Sequence, residues 1–190
     1  MKKNLKNRPM MSPNPANKVL KKFYLFVIGC QQNVHDGIRI AEVLKRLGLD
    51  ESEEREADLV LVIACAVRQT AVDRVLGKLK NWTGKRIIIT GCVLDSDKKK
   101  LASKGAEFWD LENTEKLISL LNLKTENLVS DLLDQSSILS SSIPIMYGCN
   151  NYCSYCATPY TRGHERSRSE QSIIIEAKKL IANGEQEILL

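Results

Sequence analysis

The 190-residue chain has no apolar run near the ~20 residues that cross a bilayer, so no part of it is expected to span a membrane. A secretory signal is missing too: the run Phe23 to Ile28 is shorter than the ~7–15 apolar residues of a signal core, and no small-residue cleavage site follows it convincingly. A cytoplasmic setting with reduced thiols is therefore expected, and disulfides are not. Histidine is scarce, with two copies against six cysteines. Acid is absent from residues 1–22, which carry Lys2, Lys3, Lys6, Arg8, Lys18, Lys21 and Lys22. The formal net charge of +5 thus belongs to this tail, and the remainder carries −2. With Pro9, Pro13, Pro15 and four asparagines, the tail is expected to be disordered, either a salt-sensitive, sequence-blind tether for RNA or a solvated leader. The overall composition, 43% hydrophobic and 27% charged, suits one or two soluble globular domains.

Three apolar runs end alike. Phe23 to Ile28 stops at Gly29-Cys30, Asp58 to Ala64 at Cys65, and Arg86 to Gly91 at Cys92. Near-continuous β-branched and leucine runs are what a parallel sheet covered on both faces requires. Between them the spacing predicts helices over Gly37 to Leu47 and Gln69 to Asn81, giving βαβαβ and a doubly wound sheet of the flavodoxin or Rossmann kind. Parallel strands end at one edge, so Cys30, Cys65 and Cys92 are delivered to a common rim, where ligands of such sheets bind. Asn33 and His35 follow Cys30 and are candidates to line that rim; His35 is read as a loop residue rather than a ligand. A fourth strand at Phe108-Trp109, solvated Asp95 to Ser103 and a helix over Thr114 to Leu121 complete a domain spanning 23–133, with a serine-rich linker at 134–142.

A second domain, 143–190, is expected to run strand, loop, helix from about Glu170 to Asn183 capped by Ser169 or Ser167, and strand again at Gln186 to Leu190. Its loop holds Cys149, Cys153 and Cys156, spaced CxxxCxxC. Three thiolates supply one ligand fewer than closes a structural zinc site or a fully ligated iron–sulfur cluster, and the position left open is what a reaction needs. A zinc site completed by His164 is the competing reading. Arg162, Arg166 and Arg168 lie just beyond, to meet RNA phosphates or a cofactor carboxylate, or else to be solvated beside Glu165 and Glu170.

The CxxxCxxC loop with Tyr155 before its last cysteine resembles the signature of radical S-adenosylmethionine (SAM) enzymes. The run from Pro159 to Arg168 narrows the resemblance to the methylthiotransferases, as do Gly29-Cys30-Gln31-Gln32-Asn33, Cys65-Ala66-Val67-Arg68 and Gly91-Cys92-Val93. Val67-Arg68 is closest to the branch that methylthiolates isopentenyladenosine beside the tRNA anticodon. The resemblance implies a 4Fe-4S cluster on Cys149, Cys153 and Cys156 that binds SAM, with Tyr155 beside it, and an auxiliary 4Fe-4S cluster on Cys30, Cys65 and Cys92 that supplies sulfur. It also implies tRNA as partner, Arg162, Arg166 and Arg168 as candidate substrate contacts, an electron donor such as flavodoxin or ferredoxin, and a monomer. Ile63-Ala64 stands where the family usually has Asn-Thr, and Gln69 where a Glu is usual. The chain matches the front of the family's architecture, the first βαβ portion of a radical SAM partial barrel, so a C-terminal half is expected elsewhere and the chain alone is expected to be inactive. Two alternatives stay open: a methylthiotransferase for another tRNA base or a ribosomal-protein aspartate, and a cluster-binding remnant or half of a split enzyme.

Overall fold

A computed structural model describes residues 19–65, 69–111, 113–123 and 141–190. Residues 1–18 of the tail, Val67-Arg68 and positions 134–140 of the expected linker lie outside the described residues. The first unit runs β1 (Lys22–Val27), α1 (Gln31–Arg46), β2 (Asp50–Glu51), β3 (Leu59–Cys65), α2 (Gln69–Lys78), a 3-10 turn (Leu79–Trp82), β4 (Arg86–Cys92), α3 (Asp95–Ala102), β5 (Glu107–Phe108) and α4 (Thr114–Leu121). Its five strands are all parallel, in the order β2-β1-β3-β4-β5.

The alternation along β3 explains why both faces must be covered. Leu59, Leu61 and Ile63 join the cluster formed with Ile40 and Leu44 of α1 and Leu117 and Leu121 of α4. Val60, Val62 and Ala64 point the other way, to Val75 of α2, Trp82 and Leu101 of α3. Each large side chain so buried contributes roughly 1.5–3 kcal/mol, so the central strand alone anchors two hydrophobic layers. β4 and β5 are further joined by Arg86, whose Nε and Nη2 donate to the two oxygens of Glu107 at 2.8 and 2.9 Å.

Several boundaries differ from expectation. α1 begins at Gln31, directly after Cys30, because Asn33 turns its side chain back on the helix start; His35 is therefore a buried helical residue and not a loop residue. Leu20 is buried in the first cluster and Lys22 opens β1, so Lys21 and Lys22 belong to the folded domain rather than to the tail. The backbone amides of both lysines donate to Asp58 Oδ2.

The second unit contains β6 (Met146–Tyr147), α5 (Thr158–Arg162), β7 (Arg166–Ser167) and α6 (Glu170–Ala182). Here the expected continuous strand from Ile143 is replaced by two short pairings. Ser142 makes an isolated parallel bridge to Leu189, and β6 pairs antiparallel with β7. Ser142 is buried, so the second unit starts inside the stretch read as linker. Ser169, not Ser167, caps α6, accepting from the Ser172 amide at 3.3 Å. Among the described residues no helix is long and apolar enough to cross a membrane.

Candidate metal and substrate site

Parallel register sets the first cysteines. Cys65 and Cys92 are direct partners at the ends of β3 and β4, while β1 gives way at Ile28, whose amide bonds the Ile63 carbonyl, to a turn that places Cys30 at the head of α1. The N–H groups of that helix end favour negative charge. Asn33, fully buried, ties the end of β3 to the turn that follows β1. Its Nδ2 donates to the Ala64 carbonyl at 3.0 Å, and its Oδ1 lies 3.4 Å from the Cys30 amide and 3.1 Å from the Cys30 sulfur. Gly91 precedes Cys92 at φ +92°, and a Cβ there would lie 2.5 Å from the Ala64 carbonyl oxygen, so the close approach of the two strand ends requires glycine.

Cys30, Cys65 and Cys92 line one cavity of about 520 Å³. Among its lining residues are three thiols and two guanidiniums, Arg74 and Arg162, with no carboxylate and no imidazole. A soft, all-sulfur donor set with cations to offset its charge fits an iron–sulfur cluster and does not fit a hard cation. All six cysteines are free thiols, and among the described residues no three ligand-type side chains converge as around a metal ion.

The far wall of this cavity is the second unit. Met146, Tyr147 and Gly148 lead into the CxxxCxxC loop, and Thr158 and Arg162 follow it. Gly148, at φ +72°, passes so close to the backbone of Gly163 and His164 that a side chain would collide with the His164 carbonyl. The Cys149 amide bonds the Gly163 carbonyl at 3.1 Å and the Cys156 amide bonds the Cys153 carbonyl at 3.0 Å, which curls the loop into a compact turn. The Cys156 sulfur and the Thr158 hydroxyl are 3.3 Å apart, and hydrogen bonding to Thr158, through its side chain first and its backbone second, holds this thiol below its ordinary range. The Tyr155 ring is 89% exposed. His164, the residue that would complete a zinc site, has its Nδ1 3.3 Å from Asn150 Oδ1, and its ring stands edge-on to Tyr152.

Two of the three arginines have partners within the chain that the sequence did not indicate. Arg162 crosses between the two units: its Nε donates to the Cys92 sulfur at 3.0 Å, and its Nη2 forms an ion pair with the fully buried Asp36 at 2.8 Å. Burial works against the charged guanidinium, but Asp36 and Cys92 outweigh it and hold it protonated. Arg168 donates to the Pro144 carbonyl at 2.9 Å and pairs with Glu176 at 2.6 Å. Arg162 and Arg168 are thus half-buried ties within the chain, neither solvated nor partnered by Glu165 or Glu170; of the three, Arg166 is exposed. Residues that sequence reading did not single out stand around them. Asp36 sits in the run Asn33 to Asp36, and Tyr147, whose burial raises its phenol above the ordinary range, stands where the unit folds back. The only local signal for Asp36 was its place one turn after Asn33.

Residues 22–109 match the uncharacterized protein family UPF0004, and residues 143–190 match the radical SAM superfamily. Two separate matches in this order, each containing one cysteine triplet, decide the family. The chain belongs to the radical SAM methylthiotransferases. A similar protein of Caldicellulosiruptor saccharolyticus is 36% identical over 197 residues, covering 90% of this chain and 42% of that protein. One of Clostridioides difficile is 36% identical over 203 residues, covering 92% and 42%, and one of Lachnoclostridium phytofermentans is 34% identical over 194 residues, covering 88% and 42%. All three are called tRNA-2-methylthio-N(6)-dimethylallyladenosine synthase. This chain spans less than half the length of those relatives.

Proposed function

We propose that the chain supplies the sulfur-handling and SAM-cleaving half of a tRNA methylthiotransferase acting on isopentenyladenosine beside the anticodon. The observation that carries this reading is that the strand-end thiols share one cavity with the residues on either side of the CxxxCxxC loop, Met146 to Gly148 before it and Thr158 and Arg162 after it, and that Arg162 bonds Cys92 directly. Cys30, Cys65 and Cys92 would hold one 4Fe-4S cluster, and Cys149, Cys153 and Cys156 the other, with SAM on the latter beside Tyr155. When bound, these groups would supply reductive cleavage of a sulfonium and the sulfur that replaces a hydrogen on the adenine. The chain's own residues do the rest. Arg162 ties the segment after the CxxxCxxC loop to Cys92 and Asp36 and places positive charge beside Cys92, Asn33 holds the end of β3 against the turn that carries Cys30, and Thr158 bonds the Cys156 sulfur. The packing of the second unit against the sheet edge buries Cys65 and Cys92, the side of the site where water would quench a radical. Electrons would come from a flavodoxin- or ferredoxin-like donor.

Two measurements test this. After anaerobic reconstitution the chain should carry about eight irons, four per triplet, and changing Cys149, Cys153 and Cys156 to Ala should halve that number while the other cluster persists. Loss of all iron in that variant would remove the strand-end site from the reading. In the second, residues 19–190 replace the corresponding stretch of the Clostridioides difficile relative, and nucleosides of treated tRNA are analysed by mass spectrometry. A 2-methylthio product that disappears with Cys92→Ala supports the function; a chimera that loads both clusters and makes no product refutes it.

A further inference from the structure

Beside the thiol cavity lies a second one, of about 690 Å³, outside the carboxyl ends of β4 and β5. It shares Tyr147 and Arg162 with the first. Its lining holds six cations, Arg39, Lys98, Lys116, Arg162, Arg166 and Arg168, against one acid, Asp110. Such a concentration is notable because the chain beyond its first 22 residues carries a net −2. Some of this charge is already offset, Arg162 by Asp36, Arg168 by Glu176 and Lys98 by Asp95. What marks the cavity as a ligand site is its buried polar atoms. Thr90 is 3% exposed and its hydroxyl has no hydrogen-bond partner among the described residues; Tyr147 and Arg39 are half-buried, yet the Tyr147 hydroxyl and Arg39 Nε are themselves buried and likewise without a partner, and all three residues line the cavity. A buried donor without a partner is unfavourable unless a ligand completes it, and three around one basic space ask for an anion with several acceptor oxygens. Phe108, Trp109 and Tyr160 add aromatic surface to the wall.

We propose that this cavity binds a nucleotide phosphate, with the attached base against the aromatic wall. The volume is within the ~300–1,000 Å³ of small-ligand sites, ample for one nucleotide. Because the two cavities share Tyr147 and Arg162, a phosphate seated here puts the neighbouring nucleotide at the thiol cavity. This inference rests on the reading that the substrate is an RNA, and it names the part of the chain that grips the strand next to the reacting base.

The test uses the full chain with the five cations of residues 1–18 changed to Gln throughout, so that the tail does not contribute. A fluorescent RNA hairpin bearing an anticodon loop is titrated by anisotropy at rising KCl, with AMP as competitor. Lys98→Gln with Lys116→Gln should weaken hairpin binding on the order of tenfold and reduce the slope of log Kd against log salt by about 1.4, the value for two lost single-strand phosphate contacts. Thr90→Val keeps shape and removes the hydroxyl; it should weaken binding about tenfold with the slope unchanged, since a neutral donor releases no counterion. Displacement of the hairpin by AMP makes one mononucleotide sufficient, and failure of AMP with hairpin binding intact assigns the site to a strand; either supports the proposal. Equal binding of the hairpin by the original chain and both variants, each shown folded by circular dichroism, overturns it, as does no binding of either probe. The chimera assay for 2-methylthio product is independent of this result, so the failure of one reading is distinguishable from that of the other.

Discussion

Acid should loosen the joint between the two units through a single imidazole. His35 lies buried on α1, and its pKa is lowered from an ordinary 6.5 to about 4, by burial first and by Arg39 and Arg168 next, with Asp36 opposing. Asp36 and Arg39 are on its own helix, and Arg168 comes from the second unit. The unfolded chain therefore takes up a proton below pH 6.5 that the folded chain refuses until about pH 4. Stability held above pH 6.5 is lost as the pH falls through that window. At about 1.4 kcal/mol per pH unit, the loss is roughly 2 kcal/mol by pH 5 and approaches about 3 kcal/mol near pH 4. Urea unfolding at pH 7.5 and pH 5.0 reads this directly, since a loss of that size moves the midpoint by about 1 M. Carboxylates contribute little over this interval because they titrate lower, and the chain's other histidine, His164, is exposed. His35→Gln removes the titrating group, so whatever its own stability, the difference between the two pH values should shrink to a few tenths of a kcal/mol. An unchanged difference in His35→Gln would refute the assignment of this acid sensitivity to His35.

The ion pair across the units is the second lever. Asp36→Asn leaves the Arg162 guanidinium buried without its counter-charge and should lower stability by about 3 kcal/mol, while adding Arg162→Met should recover part of that loss; thermal melts of the two variants settle it, and a single variant melting like the parent would show that the pair holds nothing. Gly91→Ala forces a Cβ against the Ala64 carbonyl at a left-handed φ and should cost at least about 2 kcal/mol. The readout is the denaturation midpoint together with iron uptake by the strand-end triplet, and a fully stable Gly91→Ala protein would contradict the tight strand approach described above.

What the sequence made legible and what it hid divide along physical lines. β1, β3 and β4 were readable because a strand buried on both faces needs an unbroken apolar run, and their shared terminal cysteines followed from parallel topology. The start of α1 was misplaced because Gln31, Gln32 and Asn33 have no apolar period, and the side-chain bonds by which Asn33 fixes that end depend on Ala64, a neighbour in space and not in sequence. β2 and β7 are two residues long and carry no pattern. The ties of Arg162 were hidden for a similar reason: its partners Cys92 and Asp36 lie far back in the chain, beyond the reach of local spacing. The basic cavity escaped notice because net charge is a sum over the chain, whereas Arg39, Lys98, Lys116 and the three loop arginines meet only in the folded form.

The thiol cavity is walled by two stretches that leave the ribosome at different times. Everything needed for the parallel sheet and its helices has been made once Leu121 is in place, whereas the wall from Met146 to Arg162 follows later. At ~5–20 residues per second, about 40 residues take some 2–8 s, long compared with the folding of a compact domain that is free to fold as a unit. In that interval Cys65 and Cys92 stand at an open sheet edge with no lid above them. Order of synthesis thus becomes order of access: Cys65 and Cys92 are open to reagents while the nascent chain grows, and of the first triplet only Cys30 stays exposed afterwards.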